Sequence, residues 1–413
     1  MDQPAPDSLA AEPPRHQVLY DGRGGAVGSL ALRNILLTLI TLGIYRFWAK
    51  TRMRRYFWSH VHFMGEAFEY TGTGRELFFG FLIVLAFFLV LGGIYTVLPL
   101  LVLTDDPYGP LELKGAALLI FAFLYNYAVW RARRYRLSRS QWRGIRGALT
   151  GSGWRYAAIA FGFYFLRVLS LGLLFPWTRL RLHKILMNDS WFGDRRFSFD
   201  GDARKLLGHW LLACIPILIF AAVALFIGLF YLPFVMAGVK PPPPPQDIQN
   251  IIAFLPILLT VGIPLTVILY IRYRVREFRY FMACTAYEGL RFESGLRTGP
   301  VLGRYILFGV LIGVAYFIIS TVILFGMLGF VGFSTNAHPN PVAIYGPTVV
   351  LIVLILPVLS ILRYVIIVHG LAGRICNSLA VIGTADFDAI AQSAQAMPAR
   401  GEGLAEMLDI GAI

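Results

Sequence analysis

Apolar residues in this chain gather into long uninterrupted runs instead of recurring at helical or strand spacing. The stretches 77–103, 211–239, 248–271, 305–342 and 345–362 each hold at least 18 residues without a formal charge. Runs of that length suit helices that cross a bilayer, since about 20 apolar residues at 1.5 Å each span its hydrocarbon core. Two other apolar stretches, 28–48 and 156–177, are broken by arginine. Arg33 and Arg46 interrupt the first, and Arg155, Arg167 and Arg179 the second, leaving 11 or 12 residues between charges. Apolar stretches of 10–14 residues suit re-entrant segments, and arginine near a bilayer centre costs at least ~2.5 kcal/mol. The pattern therefore predicts six full transmembrane helices in three hairpins, 77–103/115–130, 211–239/248–271 and 305–332/345–368. Two re-entrant or short membrane helices are added to them.

Charge orients these elements. The connector 131–155 carries eight arginines and no acid, and 272–304 carries seven arginines; 48–76 and 176–209 are also basic. The connectors 104–114, 240–249 and 334–341 are poor in Lys and Arg. Basic loops stay on the cytoplasmic side, which predicts cytoplasmic N- and C-termini and three hairpins pointing outward. Across 413 residues, 57% are hydrophobic and only 15% charged, against about 25% charged in a globular protein. That excludes a secreted protein, a soluble enzyme or a β-barrel. The net charge of +14 is explained by orientation and attraction to anionic lipids, so no nucleic-acid partner is invoked. Cys214, Cys284 and Cys376 form no CxxC pair, which indicates neither a disulfide framework nor a thiolate metal site.

The interrupted stretches resemble each other at an offset of 129 residues. Thr41-Leu42-Gly43-Ile44 aligns with Ser170-Leu171-Gly172-Leu173, Trp48 with Trp177, Lys50 with Arg179, Tyr70 with Phe199, Gly72 with Gly201 and Arg75 with Arg204. A looser unit recurs along the chain: a basic stretch, a glycine, then apolar or aromatic residues spaced by two. It is seen at Gly65 to Tyr70, Gly193 to Phe199 and Gly289-Leu290-Arg291-Phe292, and more weakly at Gly144-Ile145-Arg146 and from Gly383 to Phe387. Aromatics at i and i+2 share one face of a strand, and glycine suits the turn before them. Each copy predicts a short cytoplasmic β-hairpin. The fold class expected is an all-α polytopic membrane protein with small β-hairpin elements and an internal repeat. Its layout is a disordered cytoplasmic tail over 1–27, membrane repeats over 28–155 and 156–281, a third hairpin unit over 282–388 and a cytoplasmic tail over 389–413.

The segment from Asn34 to Tyr45, followed by Trp48-Ala49 and an arginine cluster, resembles the YjgN-like family of bacterial inner-membrane proteins, a class of unknown function. The Gly-x-Arg-Phe element at Gly289 resembles the same family. The resemblance implies a multi-pass protein of the bacterial inner membrane and carries no activity with it. Family patterns place an asparagine before the glycine element. Asn188 and Asn377 match it, whereas His60 and Met64 occupy the corresponding places in the first copy.

Arg33 and Arg167 are candidates for contact with an anionic solute or lipid, since intramembrane charge is a functional candidate by default; snorkelling to phosphates is the plainer alternative. Asn34, Gly43, Tyr45 and Gly172 join them, because glycines at helix breaks expose backbone that can meet a ligand. The plainer role of those glycines is close helix packing. His60 and His62 lack a third ligand at diagnostic spacing, so no metal and no cofactor is expected. No catalytic set is present, and the long apolar runs contain no Asp or Glu, so the chain is not expected to be an enzyme. Repeats with broken helices make transport of a small solute or lipid the leading function. The alternative is a non-transporting scaffold whose cytoplasmic hairpins hold a partner or anionic lipid.

Overall fold

The computed structural model describes residues 13–102, 109–240, 242–333 and 341–398. After β1 (Arg15–Tyr20), the chain alternates helical hairpins with strand hairpins. The first two helices are α1 (Gly24–Ile40) and α2 (Arg46–Ser59), followed by β2 (Val61–Phe63) and β3 (Glu66–Tyr70). Next come α3 (Gly74–Val102), α4 (Gly109–Arg139), β4 (Ser140–Trp142) and β5 (Ile145–Leu149). A second short helical pair, α5 (Gly153–Leu169) and α6 (Phe175–Asn188), leads to β6 (Ser190–Phe192), β7 (Arg195–Arg196) and β8 (Ser198–Phe199). Then follow α7 (Arg204–Met236), α8 (Gln246–Ala283), β9 (Thr285–Tyr287) and β10 (Leu290–Ser294). The last unit is α9 (Thr298–Phe333), α10 (Pro341–Leu362), a π-helical turn (Arg363–His369), α11 (Gly370–Ser378) and β11 (Leu379–Ile382).

The expectation of an all-α fold is corrected here. The strands form one antiparallel sheet of eleven, in the order β7-β6-β5-β4-β3-β2-β1-β11-β10-β9-β8. The two end strands, β7 and β8, are separated in sequence by Phe197 alone. One half of this extended run pairs with β6 and the other half with β9, so the sheet returns on itself as a ring. The physical reason is edge satisfaction. An isolated hairpin leaves two rows of unpaired N–H and C=O groups, and here each hairpin takes its neighbours as partners. The membrane-spanning elements stay helical, and a closed ring of strands is present beside them.

Turn chemistry sets the direction of every connection. Met64-Gly65, Arg143-Gly144 and Glu288-Gly289 each place two successive residues at positive φ, the type I′ geometry that matches strand twist. In an up-and-down antiparallel ring, tight turns and long connections must alternate between the two ends. The helical hairpins join β1 to β2, β3 to β4, β5 to β6, β8 to β9 and β10 to β11, so all five leave from one end. The tight turns, with Pro14 and Gly383, lie at the other end.

The stretch 1–27 expected as a disordered tail is folded from residue 15 onward. β1 is an inner strand, paired to β2 and to β11. The stretch from residue 389 is also engaged: Ile390 is buried in the core of the ring. Five helices among the described residues are long and apolar enough to cross a membrane: Gly115–Arg139, Arg204–Phe234, Gln246–Ala283, Thr298–Phe325 and Val349–Ser378. The sixth expected span falls on α3, and its end at 103 lies outside the described residues. The loops 104–108 and 334–340 lie outside them too. Large apolar side chains such as Phe226, Leu229, Phe254 and Phe317 are exposed along these helices, as a lipid environment requires.

The stretches 28–48 and 156–177 form helix–turn–helix hairpins, α1–α2 and α5–α6. Each turns on a Leu-Gly pair at positive φ, Leu42-Gly43 and Leu171-Gly172. The glycine N–H reaches back five residues, to Thr38 O and to Arg167 O, at 2.7 Å in both, a Schellman-type stop. The tips are apolar and open, with Leu42 94% and Leu171 77% exposed. The bounds of α1, α2, β2 and β3 reappear in α5, α6, β6 and β7–β8 at the 129-residue offset of the sequence alignment.

Candidate functional site

Alternation along the strands points one set of side chains into the ring. Val18, Phe63, Phe68, Trp142, Phe192 and Phe292 belong to one cluster with Tyr287, Leu290 and Val381. Trp142 is its hub, with ring centroids 5.3 Å from Phe63, 6.0 Å from Phe192 and 5.0 Å from Phe387. These side chains do not fill the interior. A cavity of about 320 Å³ remains, with no polar surface exposed to it. At the helical end, Met187 of α6, Met282 of α8 and Leu379 line it.

The turn end is closed by the chain that follows β11. Phe387 enters the ring, and Ile390 packs with the same cluster. Ala391 N–H donates to Asp194 Oδ1 at 3.2 Å, and the Arg146 guanidinium donates to the carbonyls of Ser393 and Gln395 at 2.8 and 2.7 Å. Gly193 has φ +61, and a Cβ there would stand 2.4 Å from Ile390 Cγ2 and 2.5 Å from Ala391 O. Only glycine allows both the turn and the close seat of this plug.

Around the helical end, arginines of α2, α4, α6 and α8 form a collar, and among these helices α4 carries them in its last turn. Arg54 is fully buried; its Nη1 donates to Tyr70 Oη at 3.1 Å. Arg179 reaches from α6 to Glu277 on α8, at 3.2 and 3.3 Å. Glu277 also accepts from Arg274 and from Tyr273 Oη. Tyr135 Oη and Arg139 Nη2 donate to the Glu76 carboxylate at 2.6 and 2.7 Å. His183 takes the place of Arg54 at the 129-residue offset and stacks on Phe281 at 4.3 Å. Burial, helped by Arg133 and Arg179, pushes its imidazole down to about 3, so it is neutral at physiological pH.

The asparagines that match the family pattern have a common task. Asn188 Oδ1 accepts from Phe199 N–H at 2.9 Å, and Asn377 Oδ1 accepts from Tyr20 N–H at 2.8 Å. Each closes a helix end onto a strand of the ring. His60 instead donates Nδ1–H to Tyr56 O at 2.7 Å and stacks on Tyr56. Among the described residues, no group of three His, Cys, Asp or Glu is placed to hold a metal.

The sequence candidates do not converge. Arg33 is exposed on α1. Asn34 is buried and donates Nδ2 to Ala49 O at 3.3 Å, across the α1–α2 pair. Tyr45 stacks on Trp48 and lies under Arg52. Arg167 donates Nε to Thr178 Oγ1 at 2.6 Å and lies over Phe175. The Gly172 carbonyl accepts from Trp210 Nε1 at 2.9 Å. Gly43 has open space around it. The two hairpins are also apart: α1 packs on α10 and the π-helical turn, α2 on α3, α5 on α4 and α6 on α7. Thus no shared site forms between the broken segments. The hairpins from Gly65 to Tyr70 and from Phe197 to Phe199 are spent on the ring itself. Sequence reasoning missed the cavity. Its signal was present in the recurring apolar and aromatic residues after glycine, which each supplied one wall of a single interior.

Similarities to known proteins agree with the helical part of this picture. Over 75 residues, 18% of this chain, it is 39% identical to the "Inner membrane protein YjgN" of Salmonella typhimurium, covering 19% of that protein. Over 170 residues, 41% of the chain, it is 26% identical to the protein of the same name from Escherichia coli O157:H7, covering 40% of it. The chain thus spans less than half the length of the curated relatives it matches. No solved structure matches this chain. Residues 15–407 match the family described as "Bacterial protein of unknown function (DUF898)", and with nearly all of its length inside that match the chain belongs to this family.

Proposed function

We propose that this is a multi-pass inner-membrane protein whose strand ring, on the cytoplasmic side, takes up an apolar chain such as a lipid acyl chain. The observation that carries the proposal is the 320 Å³ interior without polar surface. An apolar cavity of about 150 Å³ already stays dry and admits benzene, and ligand pockets begin near 300 Å³. Lipid handling is favoured over solute transport, because Arg33 and Arg167 belong to separate hairpins and the ring holds a polar-free space. The element offset between α1–β3 and α5–β8 supports an origin by duplication. In the tested form, a photoactivatable fatty acid bound to the purified full-length protein labels peptides of β2, β4 and β10. Leu290→Trp fills the interior and lowers that labelling severalfold. Labelling confined to α7–α10, unchanged by Leu290→Trp, rejects the proposal.

Orientation follows from the same architecture. All five helical hairpins leave one end of the ring, which supports placing the tight turns together in one compartment, and the basic connectors favour the cytoplasm as that compartment. Single cysteines at Met64, Arg143 and Glu288 are therefore expected to resist a membrane-impermeant maleimide in intact cells and to react together after permeabilisation. Reaction of any of the three from outside overturns the orientation.

A further inference from the structure

Outside the ring, across β10 from its apolar interior, lies a second and larger cleft of about 630 Å³. It is bounded by the start of α7, the end of α8, and strands β1 and β10. Its ionisable lining comprises Arg15, Lys205, His209, Arg276, Arg279 and Glu293, of which the histidine is neutral. Four permanent cations thus face one carboxylate. Glu293 is engaged by Arg15 at 3.8 Å, and Arg279 Nε donates to Ser294 O at 3.2 Å. Arg276 is half-buried and has no carboxylate within ion-pair distance among the described residues.

Like charges gathered in a cleft with low-dielectric walls repel one another and focus field on a counter-ion. Guanidinium groups offer fixed N–H forks that match phosphate oxygens, and a lysine adds a point charge. From this cleft α7 runs directly into its apolar stretch, where Leu207, Leu211 and Leu212 are exposed. We infer that the cleft between α7, α8 and β10 binds a phosphate ester, with Arg276, Arg279 and Lys205 as its ligands. The phosphate comes either from a membrane lipid whose tails lie along α7 or from a soluble phosphorylated solute. The inference does not rest on the ring interior: an empty ring leaves the cleft and its charges unchanged.

The test uses the full-length protein in detergent, with binding of phosphatidylglycerol, phosphatidylcholine and inorganic phosphate read by native mass spectrometry and titration. The double variant Lys205→Gln/Arg276→Gln is expected to weaken phosphatidylglycerol binding about tenfold, the scale of losing charge-assisted contacts. Arg181→Gln, an arginine elsewhere on the collar, changes it less than about twofold, the scale of one exposed charge. Glu293→Gln removes the opposing carboxylate and strengthens binding, which a merely structural role for these residues does not predict. Loss for phosphatidylglycerol alone assigns a lipid head group. Loss for inorganic phosphate as well assigns a site open to soluble esters. Equal binding by the double variant and the parent, or an equal drop with Arg181→Gln, overturns the inference. So does weaker binding by a folded Glu293→Gln protein.

Discussion

Trp142→Ala is expected to destabilise the protein by about 3–5 kcal/mol, the range for truncating a large aromatic side chain in a packed core. Trp142 is 3% exposed and meets Phe63, Phe68, Phe192 and Phe387. It also supports the Arg143 guanidinium, 4.8 Å from the ring centroid. Three walls of the ring and the plug therefore lose a common neighbour. Trp142→Phe separates shape from polarity. The indole Nε1 is buried without a hydrogen-bond acceptor in the structure, and an unsatisfied buried donor costs about 1–3 kcal/mol. Phenylalanine removes that cost while losing part of the contact area, so its net effect is expected within about 1 kcal/mol of the parent. Denaturant titration in mixed micelles reads both variants. A loss for Trp142→Ala below about 1 kcal/mol, well under the core-truncation range, shows that the ring is not a cooperative core.

The ring also shows where sequence reasoning stops. Membrane helices were legible because a run such as 211–239 has no alternative use for its apolar residues. The two short hairpins were legible because arginine interrupts them at a fixed interval, and the 129-residue offset marked their likeness residue by residue. Hairpin turns were legible from glycine. Closure was not, because each wall of the ring is only two to six residues long. Pairings such as Val18 with Phe63 and Arg15 with Ile382 join positions far apart in the chain or separated by a helical hairpin. No local periodicity encodes such a register. The exposed edges of five predicted hairpins were themselves a signal, since unpaired edges in one compartment seek partners. The structure gives the candidate residues local partners instead of a common site. Arg167, Gly172 and Asn34 carry intramembrane polarity, and Thr178, Trp210 and Ala49 meet part of it within the hairpins or between hairpin and neighbour, while Asn34 Oδ1 is buried without a partner. Polarity in an apolar run marks a constraint, and here the constraint is structural.

Glu277 gives the second large effect, and it links the collar to the mouth of the ring. Its side chain is 3% exposed, while Arg179 is 37% and Arg274 39% exposed. Removing one member of a buried ion pair costs about 3–5 kcal/mol by stranding the other charge. Because water reaches both guanidinium groups, Glu277→Ala is expected at the lower limit, about 3 kcal/mol. Glu76, held by Tyr135 and Arg139, has 24% of its side chain exposed, so Glu76→Ala is expected to cost less. Arg179→Met/Glu277→Leu removes both charges of the α6–α8 bridge and is expected to recover part of the loss, since apolar replacements of buried pairs are often neutral. The bridge has a functional side. Arg179 and Glu277 stand on the helices that end in Met187 and Met282, two residues of the cavity mouth. Freeing α6 from α8 should widen that mouth, so folded Glu277→Ala protein is expected to label faster with the photoactivatable fatty acid at fixed occupancy. Slower labelling, or a greater stability loss from Glu76→Ala, would show that this bridge does not hold the entrance.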